Sequence, residues 1–236
     1  MWIFLICLMP SFFLMTAKEE YVLPFYPPYY SQCGQDKYLH EHIFKNQRKG
    51  VFVEIGAHDG ITRSNTYFFE KNLDWFGICI EPHPDRYEEL LVNRSSKTVC
   101  LPCAVANYTG KMSFLKISGY AEMLSGLEQC YDQKHQARIT EELKKFGGSK
   151  ELINVNVAKL SGVLDEYGIA KLDLLSIDTE GSELDILQSI DFNKVAIRVI
   201  IVENNYKNLA IFNYLTAQGY TKQITIDSDE IYIKQV

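Results

Sequence analysis

The chain reads as an α/β fold built on a mostly parallel seven-stranded sheet that closes in a C-terminal antiparallel hairpin. Three observations lead there. From residue 50 onward, short β-rich runs alternate with helical runs, which implies parallel strands joined by right-handed crossovers. The runs at 75–82, 171–178 and 196–204 are nearly continuously apolar, as strands covered on both faces are. The last two β-rich runs are separated only by the turn signal Asp227-Ser228-Asp229, so they pair antiparallel.

The elements follow in order. Residues 1–17 carry no charged side chain and are rich in Leu, Ile, Phe and Met. Such a stretch is at the short edge for a membrane span and long for a signal-peptide core. Pro10 interrupts it, no Lys or Arg precedes it, and Ala17 offers a cleavage position. It is expected to be a signal peptide or membrane anchor, the alternative being an amphipathic or mis-started N-terminus. Either targeting version associates the chain with the secretory pathway or a membrane through its N-terminus. Residues 18–36, rich in Pro and Tyr, are expected to be a linker. One domain is expected over 37–236, beginning with a short helix at 37–48.

The strands are expected at 50–56, 75–82, 98–107, 171–178, 196–204, 219–226 and 230–236. Between them come helices at 64–73, with Ser64 as cap, and at 85–94, with an acidic first turn. A helix at 160–168 is expected to start on Ser161 as N-cap and stop at Gly168. Two more are expected at 182–190 and 206–218. Residues 108–159 break the alternation. They are partly polar and helical, and are expected to form an insertion roofing the site.

Composition narrows the function. With 24 basic and 30 acidic residues the net charge is −6, and no basic stripe offsets it, so a nucleic-acid partner is not expected. A small-molecule or glycan acceptor fits better. The sequons at Asn93 and Asn107 are compatible with a secretory location. Of six cysteines, removal of the leader leaves five, which fits no fully paired framework. Cys100 and Cys103 form a lone CxxC without a second pair or spaced histidines, so they read as core thiols in a strand and no metal-ligand set is assigned.

Ligands of open α/β sheets bind beyond the carboxyl ends of the strands. Four segments lie there: 54–60, 81–82, 178–183 and 203–205, all of them acidic. The first turn runs Gly56-Ala57-His58-Asp59-Gly60 after Glu54. It lacks the third glycine of a dinucleotide turn, and its two carboxylates would repel a pyrophosphate. They favour a cationic ligand, and S-adenosylmethionine, a sulfonium with an α-ammonium and no phosphate, fits. Glu81, 25 residues after Gly56, is placed to accept hydrogen bonds from two ribose hydroxyls. Pro82 stiffens the turn beneath the nucleoside, and Ala104, between Cys103 and Val105, flanks the adenine.

The third acidic turn holds Asp178, Glu180 and Glu183 around Gly181. Glu183 is read as a helix first-turn acid. Asp178 is the candidate general base for a hydroxyl acceptor, its alternative role being to hold the substrate hydroxyl or a metal ion. Glu180 and Glu203 are placed on the substrate side. His58 and His83 are rival bases.

The segments "FVEIGAHDGITRSNTYFFEKNLDWFGICIEP", "LLSIDTEGSELDIL" and "VIIVENNY" together resemble the FkbM-type S-adenosylmethionine-dependent methyltransferases, from about Ser31 to the C-terminus. The resemblance implies a Rossmann-like class I methyltransferase fold and O-methylation of hydroxyls on sugars or polyketide-like compounds. It puts Glu54, Gly56, Gly60, Glu81 and Asp178 on the family's cofactor-side and strand-end positions, and adds Asn65 and Thr66. Two other readings stand beside it: a membrane-anchored, non-catalytic interaction protein using this fold as a scaffold, and a nicotinamide-dependent oxidoreductase.

Overall fold

Hydrophobic alternation along the strands sets the layers of the molecule. The computed structural model describes residues 29–235. The expected leader therefore lies outside the described residues, and among those described no helix is long and apolar enough to cross a membrane. Tyr29 to Gly34 are irregular and pinned to the domain: the Asp36 carboxylate accepts the N–H of Tyr30 at 2.6 Å and the hydroxyl of Ser31 at 2.5 Å.

The elements are α1 (Gln35–Tyr38), running into a π-helical turn Leu39–Phe44, then β1 (Val51–Ile55), α2 (Tyr67–Leu73), β2 (Phe76–Ile80), α3 (Pro84–Asn93) and β3 (Thr98–Leu101). β4 (Ala104–Val105), β5 (Gly110–Ser118), β6 (Gly126–Leu127), α4 (Gln133–Phe146) and β7 (Ser149–Ala158) follow. The chain ends with α5 (Leu160–Glu166), β8 (Lys171–Ile177), α6 (Glu183–Gln188), β9 (Ala196–Glu203), α7 (Leu209–Ala217), β10 (Tyr220–Ile226) and β11 (Asp229–Lys234).

The main sheet has seven strands in the order β10-β11-β9-β8-β1-β2-β3. All neighbours are parallel except β11, which runs antiparallel to both β9 and β10. Successive residues face opposite layers. Val53, Ile55, Ile78, Ile80 and Leu175 pack with α5 and α6, while Phe52, Cys79, Leu174 and Val199 pack with Phe68, Phe69 and Trp75 on the other side. Both faces are buried, hence the unbroken apolar runs of the central strands.

Several expectations need correction. The third strand does not run from 98 to 107. Pro102, which has no N–H for a ladder, follows β3, and Ala104–Val105 pair with β7 in a second sheet of order β4-β7-β5-β6. The inserted region is thus largely β: β5 and β7 pair along their whole lengths, from Gly110↔Val157 to Ser118↔Ser149. Cys103 accordingly lies in a loop, and burial pushes its thiol up to about 11.

Ser161 is not an N-cap. Lys159 takes that position, and the N–H of Leu160 is satisfied at 3.0 Å by the Ser189 hydroxyl from beyond α6. α2 begins at Tyr67, and Ser64 caps it from upstream by accepting the N–H groups of Thr66 and Tyr67 at 3.1 and 2.9 Å.

Candidate functional site

β1 is where the strand order reverses: the chain moves outward to β2 and β3 on one side, then restarts with β8 and β9 on the other. A crevice opens between the carboxyl ends of β1 and β8, the usual location for a ligand in such sheets. Glu54, Gly56, Ala57, His58, Asn65, Glu81, Pro82, Ala104, Asp178, Glu180 and Glu203 line one continuous cleft there. The inserted region closes it with Phe114, Glu122, Leu127 and Arg138.

The turn after β1 is shaped by two glycines. Gly56 has φ +79°, and a Cβ there would run into the carbonyl oxygen of Asp178. Gly60 has φ +85°, and its Cβ would press on Leu90 at 2.7 Å. Asp59 builds the turn. It accepts the N–H groups of Ile61 and Thr62 at 2.8 and 2.7 Å and the Thr62 hydroxyl at 2.6 Å. Burial opposes ionisation there, but these donors outweigh it and hold the carboxyl below its ordinary value. Asn93 also serves the turn, donating its amide to the Asp59 carbonyl at 2.8 Å.

Asp59, Gly60 and Thr66, expected on the cofactor side, do not line the cleft. Thr66 donates its hydroxyl to Glu54 and accepts from Arg94. Glu54 reaches the cleft wall, but its carboxylate is committed within the protein. One oxygen accepts the Asn65 N–H at 2.8 Å and the other the Arg94 guanidinium at 2.5 Å, with the Ser64 hydroxyl 2.9–3.0 Å from both. The expectation that Glu54 supplies free negative charge is therefore corrected: strand alternation turns it to the face of Phe52 and Cys79, where Arg94 neutralises it.

Glu81 follows directly on β2 and lines the cleft. It is buried at the end of β2, and its two oxygens each accept one backbone N–H at 2.7 Å, from His58 and His83. Each oxygen has further acceptor capacity, and the residue lines the cleft. Burial raises its pKa, although those two N–H groups work the other way. Asn65 donates its amide to Ser176 at 3.0 Å, while its buried Oδ1 has no partner. An acceptor without a donor is costly in a protein interior, so a donor on a ligand would satisfy it.

Asp178, Glu180 and Glu203 bring one carboxylate oxygen each to within 4.8 Å of one another. Among the described residues no lysine or arginine comes within ion-pair distance of them, and the Nδ1 of His135 on α4 stands 3.4 Å from Glu180. All three carboxyls are raised in pKa. Desolvation leads in each case, followed by Glu183 for Asp178 and by Asp178 for the other two. Asp178 is exposed to the cleft that it lines, while Glu180 and Glu203 are half-buried. Glu183 is different: it accepts the N–H groups of Thr179 and Gly181 at 3.1 and 2.9 Å and so ties down the turn.

The rival bases have other partners. His58 Nε2 lies 3.1 Å from Glu122 of the insertion. His83 caps α3, accepting the N–H of Arg86. Residues that sequence reasoning missed are Arg94, which neutralises Glu54, and His135 and Arg138, which α4 delivers from the insertion. No local pattern marks any of them, because each meets its partner only through the fold.

Comparison with known proteins agrees with this architecture. A family model described as "Methyltransferase FkbM domain" matches residues 54–222. The chain is similar to Methyltransferase sdnD from Sordaria araneosa, 27% identical over 157 residues, covering 59% of this chain and 60% of that protein. It thus spans less than two thirds of that curated relative. Its fold is similar to that of the methyltransferase FkbM crystal structure from Methylobacillus flagellatus KT, with TM-score 0.51 and 14% identity over 86% of this chain and 48% of that one.

Proposed function

The chain belongs to the FkbM methyltransferase family, and from that premise we propose that it is an S-adenosylmethionine-dependent O-methyltransferase acting on a hydroxyl of a sugar or other small metabolite. Membership sets aside the nicotinamide reading. The observation that carries the proposal is Glu81: a buried carboxylate at the end of β2, aimed by two backbone N–H groups beside the Gly56 turn.

S-adenosylmethionine supplies, when bound, a methyl group activated by its sulfonium. The residues present fit it. Glu81 has two free lone pairs for the paired ribose hydroxyls. The orphaned Asn65 Oδ1 suits the α-ammonium. Pro82, Ala104 and Val105 present a small apolar surface for the adenine, with Phe114 and Leu127 of the insertion opposite.

At the other end of the cleft, Asp178 accepts the proton of the acceptor hydroxyl, its affinity for a proton raised by burial and by Glu183. Glu180 and Glu203 hold the acceptor's polar groups. The remaining contribution is alignment, which such sites use for much of their rate.

Calorimetry with S-adenosylmethionine and transfer of a labelled methyl group to a panel of monosaccharides and hydroxylated small molecules test the proposal. Cofactor binding with transfer to a hydroxyl supports it. Absence of cofactor binding would return the chain to the non-catalytic scaffold reading.

A further inference from the structure

The spacing of the three cleft acids matches a hard cation. Asp178, Glu180 and Glu203 each place a carboxylate oxygen within 4.8 Å of the others. Bonds from Mg2+ or Ca2+ to oxygen run about 2.0–2.6 Å, so ligand oxygens around one ion lie about 3–5 Å apart. No lysine or arginine comes within ion-pair distance of any of the three among the described residues, Arg138 and Arg63 acting on Glu180 and Asp178 only from further away. Asp178 is exposed to the cleft and the two glutamates are half-buried, so three like charges crowd one wall of it.

A second observation comes from a different element. His135, on α4, is 2% exposed. Its Nε2 lies 3.2 Å from the carbonyl oxygen of Leu124, so that nitrogen carries the proton and Nδ1 presents a lone pair. Nδ1 has no hydrogen-bond partner and faces Glu180 Oε2 at 3.4 Å, an oxygen that also has none. Two buried acceptors face to face repel each other unless a proton or a metal cation sits with them. The Glu180 end of the cluster thus calls for a cation on grounds separate from the acids' own spacing.

We propose that Asp178, Glu180 and Glu203 form a binding site for a hard divalent cation of the Mg2+ or Mn2+ class. All-oxygen carboxylate ligands select such ions over softer ones. Three protein ligands leave coordination positions open toward the cleft, where an acceptor hydroxyl can enter and become more acidic. A monodentate Asp178 keeps its second oxygen for the proton. What the cation does there rests on the methyl-transfer reading of the cleft; that it binds does not.

The test titrates the full chain with Mn2+, reading the free ion by its EPR signal, with S-adenosylmethionine binding measured in parallel. One saturable site displaced by Mg2+ is expected. Glu180→Gln and Glu203→Gln should weaken it about tenfold or more, while Asp185→Asn, an exposed acid outside the cleft, should leave it unchanged. If either glutamine variant fails to fold, Asp178→Asn takes its place, since that side chain already faces water in the cleft. Absence of a saturable site, or equal affinity in the cleft variants, overturns the proposal. Cofactor binding without Mn2+ binding would sink the cation site alone; Mn2+ binding without cofactor binding would sink the methyl-transfer reading instead.

Discussion

Arg94 closes on Glu54 at 2.5 Å, and neither side chain is more than 5% exposed. The same guanidinium donates to the Gly60 carbonyl at 2.7 Å, the Ser64 hydroxyl at 2.8 Å and the Glu70 carboxylate at 3.0 Å. One side chain from beyond α3 therefore ties together β1, the glycine turn and α2. Arg94→Ala leaves Glu54 buried and unpaired and should destabilise the fold by about 3–5 kcal/mol. Urea denaturation measures this, and a loss below about 1 kcal/mol would reduce the cluster to a surface-like pair. Lysine should not restore it, because it lacks the planar fork that reaches all these acceptors.

Glu81→Ala should weaken S-adenosylmethionine binding by about tenfold or more, the loss of a charged hydrogen-bond acceptor from a buried site. Calorimetry reads it directly. Undiminished affinity would remove Glu81 from the ribose.

Asp178→Asn should separate chemistry from binding. Turnover is expected to fall about 10²–10⁴-fold, as when a general base is lost, with cofactor affinity mostly retained. Normal turnover would take the proton-accepting role away from Asp178.

Gly56→Ala should damage both stability and cofactor binding. The position has φ +79°, and the new methyl would meet the Asp178 carbonyl, pushing β1 away from β8. A loss of about 2 kcal/mol or more in stability is expected, with a matching fall in cofactor affinity. A variant that melts like the parent would show that the strand ends part easily.

Asp229 predicts a pH dependence. Burial and then the nearby charge of Asp178 push its carboxyl up to about 7, although Gln35 donates to it at 2.7 Å. The folded state therefore holds this proton more tightly than the unfolded chain, whose value is about 3.9. Its contribution to stability is full below the unfolded value and lost as pH rises toward about 7. Asp229→Asn removes that loss and still accepts from Gln35, so the variant should gain on the parent as pH rises from about 5 to about 8, by on the order of a few kcal/mol. Parallel melting curves across that range would contradict it.

The main sheet was legible in the sequence because strands covered on both faces leave unbroken apolar runs, and the strand ends then located the cleft. The insertion was not. β5 and β7 mix apolar residues with Lys, Glu and Asn, and most of their side chains are at least partly exposed, so their pairing with each other carries information that neither segment shows alone. The same divide runs through the site. Glu81 and the Gly56 turn follow from position on a strand. Glu54 did not, because the residue that neutralises it is 40 positions away, and His135 lies in a helix whose polar composition reads as solvated.

The second sheet leaves the main body and returns to it at one place: β4 and β7 lie side by side, Ala104 against Val157 and Val105 against Ala158. With both ends pinned together, everything between them can be lengthened, trimmed or exchanged without moving β3 relative to α5. That segment supplies Phe114, Glu122, Leu127 and Arg138 to the cleft, while the turn after β1 and Glu81 belong to the frame. The architecture is modular, and changes in the lining of the cleft can accumulate in one cassette while the frame stays as it is.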